Sequence, residues 1–83
     1  MEVLYHKDIN YNPVKKQFTK TVYYLQNENF SAAEVKKVHG NGYYRAKLDY
    51  RNRLLFTLGH YNNKYYILLL EVIFNHEYHK SRF

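Results

Sequence analysis

Apolar residues recur at two periods along the chain, and the period changes near Tyr43. In the first half, Val14, Phe18, Val22 and Leu25 are spaced by four, four and three, one stripe along a helix. Asn12-Pro13 supplies its start, Asn as cap and Pro at the first helical position. Lys15, Lys16 and Lys20 fall off the stripe, on the solvated side. Upstream, residues 2–6 (EVLYH) read as a short edge strand, with Val3 and Tyr5 opposed to Leu4 and His6. Downstream, Ser31-Ala32-Ala33-Glu34 forms a capping box, Phe30 and Val35 are placed for a hydrophobic staple, and Gly40 offers a left-handed stop. These signals predict a second helix of about two turns.

From Tyr43 the period is two. Strands are expected over 43–49, 53–59 and 64–73, with Gly59 to Asn63 as a turn. In the first of these, Arg45 and Lys47 share one face while Ala46 and Leu48 share the other. The last, KYYILLLEVI, is apolar on both faces, as expected of a central strand covered on each side. The predicted order is β-α-α-β-β-β. That describes an α+β fold, two N-terminal helices packed on one face of an antiparallel-rich sheet of about four strands.

Composition narrows the functional classes. Eighty-three residues suffice for one domain with one core, and 46% hydrophobic with 19% aromatic residues is the composition of a folded chain. Thirteen Lys and Arg against seven Asp and Glu give a net charge of +6, weighted toward residues 43–83. Such a balance favours a polyanionic partner: nucleic acid, ribosome or an acidic protein. The absence of cysteine excludes disulfides, thiolate nucleophiles and cysteine metal sites. The first ten residues lack the apolar core of a signal peptide, and the apolar run from Tyr65 to Phe74 is broken by Glu71 and too short to cross a bilayer. A soluble cytoplasmic protein with no membrane partner is expected.

Candidate chemistry concentrates in residues 43–83. Arg45, Lys47 and Arg53 are placed to form a phosphate-binding row, the guanidinium forks bidentate and the ammonium a point charge. The competing reading is a strand face kept polar to discourage edge pairing. Glu71 interrupts the apolar strand and, if buried, requires a partner; an ion pair with an arginine of the sheet is expected before a role as catalytic base. His76-Glu77-Tyr78-His79 has an H-x-x-H spacing, but without cysteine or a neighbouring carboxylate cluster no metal site is expected, and no cofactor. The eleven tyrosines read mainly as strand formers, although aromatics among arginines also stack unpaired bases. His6, His39 and His60 carry no assignable chemistry.

Arg45-Ala46-Lys47, then Arg51 or Arg53, then ILLLEV (67–72), then His76 and Tyr78 resemble the RelE/ParE superfamily. In that family a strand carrying R-x-[RK] precedes another arginine and a central apolar strand. Asp49-Tyr50-Arg51-Asn52-Arg53 stands where the family's G-x-Y-R is usual, and the apolar residues after Arg53 favour it over Arg51. RelE-like ribonucleases cleave mRNA on the ribosome without a metal. The resemblance therefore implies Arg45, Lys47 and Arg53 as phosphate cations, and His76, Tyr78 or His79 as proton carriers. Arg51, Lys80 and Arg82 extend the candidate nucleic-acid contacts. The run N-H-x-Y-x-K-S-R-F at 75–83 is similar, more narrowly, to the RelE-like segment preceding the motor of some UvrD/Rep-type DNA helicases. That likeness implies a docking module for DNA, RNA or protein at the N-terminus of a longer helicase, in contact with the helicase domains that follow. No nucleotide-binding motif occurs within these residues, so ATPase activity is not expected here. The toxin reading, with an acidic antitoxin-like partner, is the alternative, and a structural dimerisation module is a third.

Overall fold

The helical stripe at Val14, Phe18, Val22 and Leu25 is the ridge on which the main core is assembled. In the computed structural model, which describes residues 1–38, 40 and 42–83, a 3-10 turn over Asn12–Val14 leads into helix α1 (Lys15–Gln26). All four stripe residues are buried, Leu25 completely. Pro13 occupies the first turn as expected, but Asn12 makes no capping bond; Tyr11 caps instead, through its carbonyl. Tyr11 also stacks on Phe18 with ring centroids 4.4 Å apart.

The helix covers one face of a five-stranded mixed sheet. Its strands are β1 (Glu2–Tyr5), β2 (Lys36–Lys37), β3 (Tyr43–Lys47), β4 (Arg53–Tyr61) and β5 (Lys64–Ile73), in the order β1-β5-β4-β3-β2. β1 runs parallel to β5 and the other pairings are antiparallel. The β4–β5 hairpin turns on Asn62-Asn63, both at positive φ, as a two-residue loop requires, so β4 extends two residues beyond its expected end. Thr21, buried on the helix, donates its hydroxyl to the Lys47 carbonyl at 2.9 Å and fastens α1 to the end of β3.

The predicted second helix does not form, and the sheet has five strands rather than four. Residues 31–34 make consecutive turns, closed by the Glu34 amide on the Ser31 carbonyl and the Val35 amide on the Phe30 carbonyl. Asn29, not Ser31, supplies the capping oxygen, to the Ala32 amide. Glu34 sits at φ +49, which ends any helix, and the Ala33 carbonyl is taken by the Lys47 amide. One turn's worth of residues cannot repay helix nucleation when a strand offers the same carbonyl a partner. The chain runs instead into β2. Gly40, at φ +86, lies in the connection from β2 to β3 rather than at a helix end; His39 lies outside the described residues.

β5 is apolar on both faces for a structural reason. A β-bulge leaves Leu70 unpaired between Leu69 (opposite Phe56) and Glu71 (opposite Leu55). The alternation therefore switches phase: Ile67, Leu69 and Val72 join the helix-side core, while Leu70 and Ile73 pack with Leu55 on the other side. That second face is covered by the chain itself. After β5, Asn75 and His76 both take positive φ, reversing the chain so that residues 77–83 return across the sheet, with Tyr78 against the second cluster.

Candidate nucleic-acid interface

Arg45 sits mid-strand on the face opposite α1, where its Nη1 donates to the Tyr78 hydroxyl at 3.4 Å; the guanidinium carbon lies 5.9 Å from the Tyr78 ring centre. β3 and the C-terminal segment thus meet at a cation and a phenol. The other predicted cations do not join them in a row. Lys47, although on the same face by alternation, pairs its ammonium with Glu34 at 3.4 Å. Arg53 donates Nη1 to the carbonyls of Asp49 and Asn52, so its guanidinium staples the β3–β4 connection. Arg51 is exposed on that connection, its guanidinium 5.5 Å from the Tyr50 ring centre.

The tail cations are tied to acids. Lys80 pairs with Glu77 at 2.8 Å, and Lys80's hydrogen bond and charge, with His79 adding, hold Glu77 below the ordinary carboxylate range. Arg82 is clamped more fully. Its Nε meets Glu71 Oε1 at 3.2 Å, its backbone amide meets Glu71 Oε2 at 3.3 Å, and Nη1 meets Asp8 Oδ2 at 3.5 Å. The partner that Glu71 needed is therefore an arginine of the tail rather than of the sheet. Beside this clamp lies a cleft of about 430 Å³ lined by Asp8, Glu71, Glu77, Lys80 and Arg82 among others.

Of the proposed proton carriers, His76 and His79 are exposed and Tyr78 is half-buried. His76 Nε2 lies 3.0 Å from the Tyr50 carbonyl. A carbonyl only accepts, so Nε2 carries the hydrogen there and Nδ1 is left as the basic nitrogen. His79 follows Tyr78 in the last 3-10 turn of the chain, Tyr78–Lys80.

Two residues that the sequence reading did not single out organise this region. Asp49 accepts from the Arg51 amide, the Asn52 amide and the Asn52 side chain at 2.9, 2.8 and 3.1 Å. Burial pushes its pKa up, but these hydrogen bonds and the Arg53 charge outweigh it, leaving the carboxyl below its usual value. Asn52 in turn accepts the Asn75 amide at 3.0 Å, joining the connection to the tail. Asp-x-x-Asn is a legible turn signal; its second task, anchoring a segment 23 residues away, has no local signature. Among the described residues no three His, Asp or Glu side chains gather as a metal would require, and no helix is long and apolar enough to cross a membrane.

No protein-family model and no curated protein matches the sequence. In fold the chain is similar to a solved structure, the YoeB/ParE toxin from Agrobacterium tumefaciens, which superposes with a TM-score of 0.60, covering 89% of this chain and 98% of that one, at 10% sequence identity. The likeness is one of fold, extending over nearly the whole of both chains.

Proposed function

We propose that the chain is a RelE/ParE-type toxin that cuts mRNA on the ribosome and is held in check by an antitoxin. The observation that carries this reading is the extent of the fold match, which takes in nearly the whole of a toxin chain rather than a shared fragment. The pairing of Arg45 with Tyr78 on the face opposite α1 supports it chemically. On this reading the ribose 2′-hydroxyl attacks the adjacent phosphorus, the P–O5′ bond breaks, and a 2′,3′-cyclic phosphate and a 5′-hydroxyl result. Arg45 neutralises the charge of the phosphorane. His76, through Nδ1, takes the 2′ proton, and Tyr78 or His79 delivers one to the departing 5′ oxygen. Lys47 and Arg53 have partners inside the fold and contribute by shaping β3 and the connection after it.

The second reading is an accessory module of a UvrD/Rep-type helicase that docks on a polyanion through its cationic sheet face without cutting. Lys47, Lys80 and Arg82, three of the cations meant to grip that partner, are neutralised by carboxylates within the fold, which weighs against it. Induced expression separates the two. Prompt growth arrest with mRNA cut inside coding regions, relieved by at least 100-fold in cleavage rate on Arg45→Ala, is the expected outcome for a toxin, within the span that loss of one electrostatic donor produces. Unchanged growth with intact mRNA, at a level of protein confirmed to be folded, would exclude it.

A further inference from the structure

Part of the positive charge lies beside Arg45, where Lys36 is its cross-strand neighbour on β2, and part lies on the helix that covers the opposite face of the sheet. Helix α1, KKQFTKTVYYLQ, carries three lysines and no acid, and Lys15, Lys16 and Lys20 are exposed. Among the described residues none of the three has an ion-pair partner; the acids on the segment after the helix, Glu28 and Glu34, are engaged by the amino terminus and Lys47. Lys16 and Lys20 stand one turn apart, a like-charge i,i+4 pair that weakens a helix unless something outside relieves it. Between them and the helix end lies Tyr23, 63% exposed, and Lys20 sits 5.9 Å from the ring centre of Tyr24.

We infer that the outer face of α1 is a docking surface for the phosphate backbone of RNA, separate from the face that carries Arg45. Lys16 and Lys20 are about 6 Å apart along the helix axis, so both ammonium groups can meet phosphates of one strand. Exposed tyrosine beside lysine is the pairing that grips unpaired nucleic acid, ammonium on phosphate and ring on base. An acidic polypeptide would use the lysines but leaves Tyr23 unexplained. The surface holds the RNA while the opposite face acts, so the inference deepens the proposed function and shares its choice of substrate.

The test is binding of a fluorescein-labelled 24-nucleotide single-stranded RNA by the intact chain, followed by anisotropy from 50 to 200 mM KCl. Lys15→Gln/Lys16→Gln/Lys20→Gln keeps helix propensity, and its circular dichroism should match the parent. Three lost phosphate contacts should lower the slope of log affinity against log salt by about 2. The affinity at 50 mM should fall at least 10-fold, and Tyr23→Ala alone should weaken binding at least 5-fold. Binding within twofold of the parent with the same slope would overturn the inference, as would equal competition by polyglutamate in parent and triple variant. Arg45→Ala is the control for the other reading. RNA binding lost in the triple variant, with no cleavage in any form of the protein, leaves the surface standing and removes the ribonuclease; cleavage lost in Arg45→Ala with binding unchanged in the triple variant does the reverse.

Discussion

At the residue scale, two residues have energetic roles that substitution can expose. Asp49 has a folded pKa below its ordinary value of 3.8, set by hydrogen bonds that outweigh burial. A carboxyl with a depressed folded pKa contributes stability above the unfolded pKa, and that contribution drains away as the pH falls through 3.8 toward the folded value. The stability gap between the parent and Asp49→Asn, measured by urea unfolding, should therefore be present at pH 7 and shrink at pH 3. A gap equal at both pH values would rule the account out. Gly59 is constrained by space rather than by φ. It faces Tyr66 across β4 and β5, and a Cβ there would lie 2.1 Å from Tyr66 Cζ. Gly59→Ala must push the half-exposed Tyr66 ring aside, so whatever it costs should be clearly less in a Tyr66→Ala background, where no ring has to move. Equal costs in the two backgrounds would mean that the ring is not what excludes the methyl.

At the scale of elements, legibility followed locality. The α1 stripe and strands β1, β3, β4 and β5 are written in periodicities of 3.6 and 2, and each appears within a few residues of its expected place. The segment at 31–34 misled because a capping box is a local signal while the competitor for Ala33's carbonyl is Lys47, a distant amide. Strand β2 is two lysines long, too short for any period. The bulge at Leu70 was visible only as an apolar run, since which residue drops out of register depends on the strand beside it. The candidate site divides in the same way. Alternation placed Arg45 and Lys47 on one face, yet the partners that decide their use, Tyr78 and Glu34, come from other parts of the chain. Glu71's need for a partner was legible from burial alone; that the partner is Arg82 was not.

At the scale of the whole molecule, the chain after β5 acts as a cover. One side of the sheet is sealed by α1, and on the other Leu55, Leu70 and Ile73 are each less than 5% exposed. Tyr78 packs on that cluster, and Phe83 sits edge-on to both His6 and Tyr43, 5.3 and 6.4 Å between ring centres. The Glu71–Arg82–Asp8 clamp holds the far end of the cover. Removing residues 77–83 should therefore uncover an apolar patch on an otherwise intact sheet. Loss of the Tyr78 packing alone should cost part of the about 1.5–3 kcal/mol that full burial of a large apolar side chain is worth, since Tyr78 is half-buried, lowering the urea midpoint. The truncated chain should bind a hydrophobic dye and self-associate at micromolar concentration, with helix and sheet signals retained in the far ultraviolet. Arg82→Ala should fall between parent and truncation, because the partly exposed ion pair is worth only about 1 kcal/mol while Tyr78 keeps its contact. A truncated chain that stays monomeric, dye-free and as stable as the parent would show that the tail rests on the sheet without sealing it. The Arg45–Tyr78 meeting would then be an incidental contact rather than a built site.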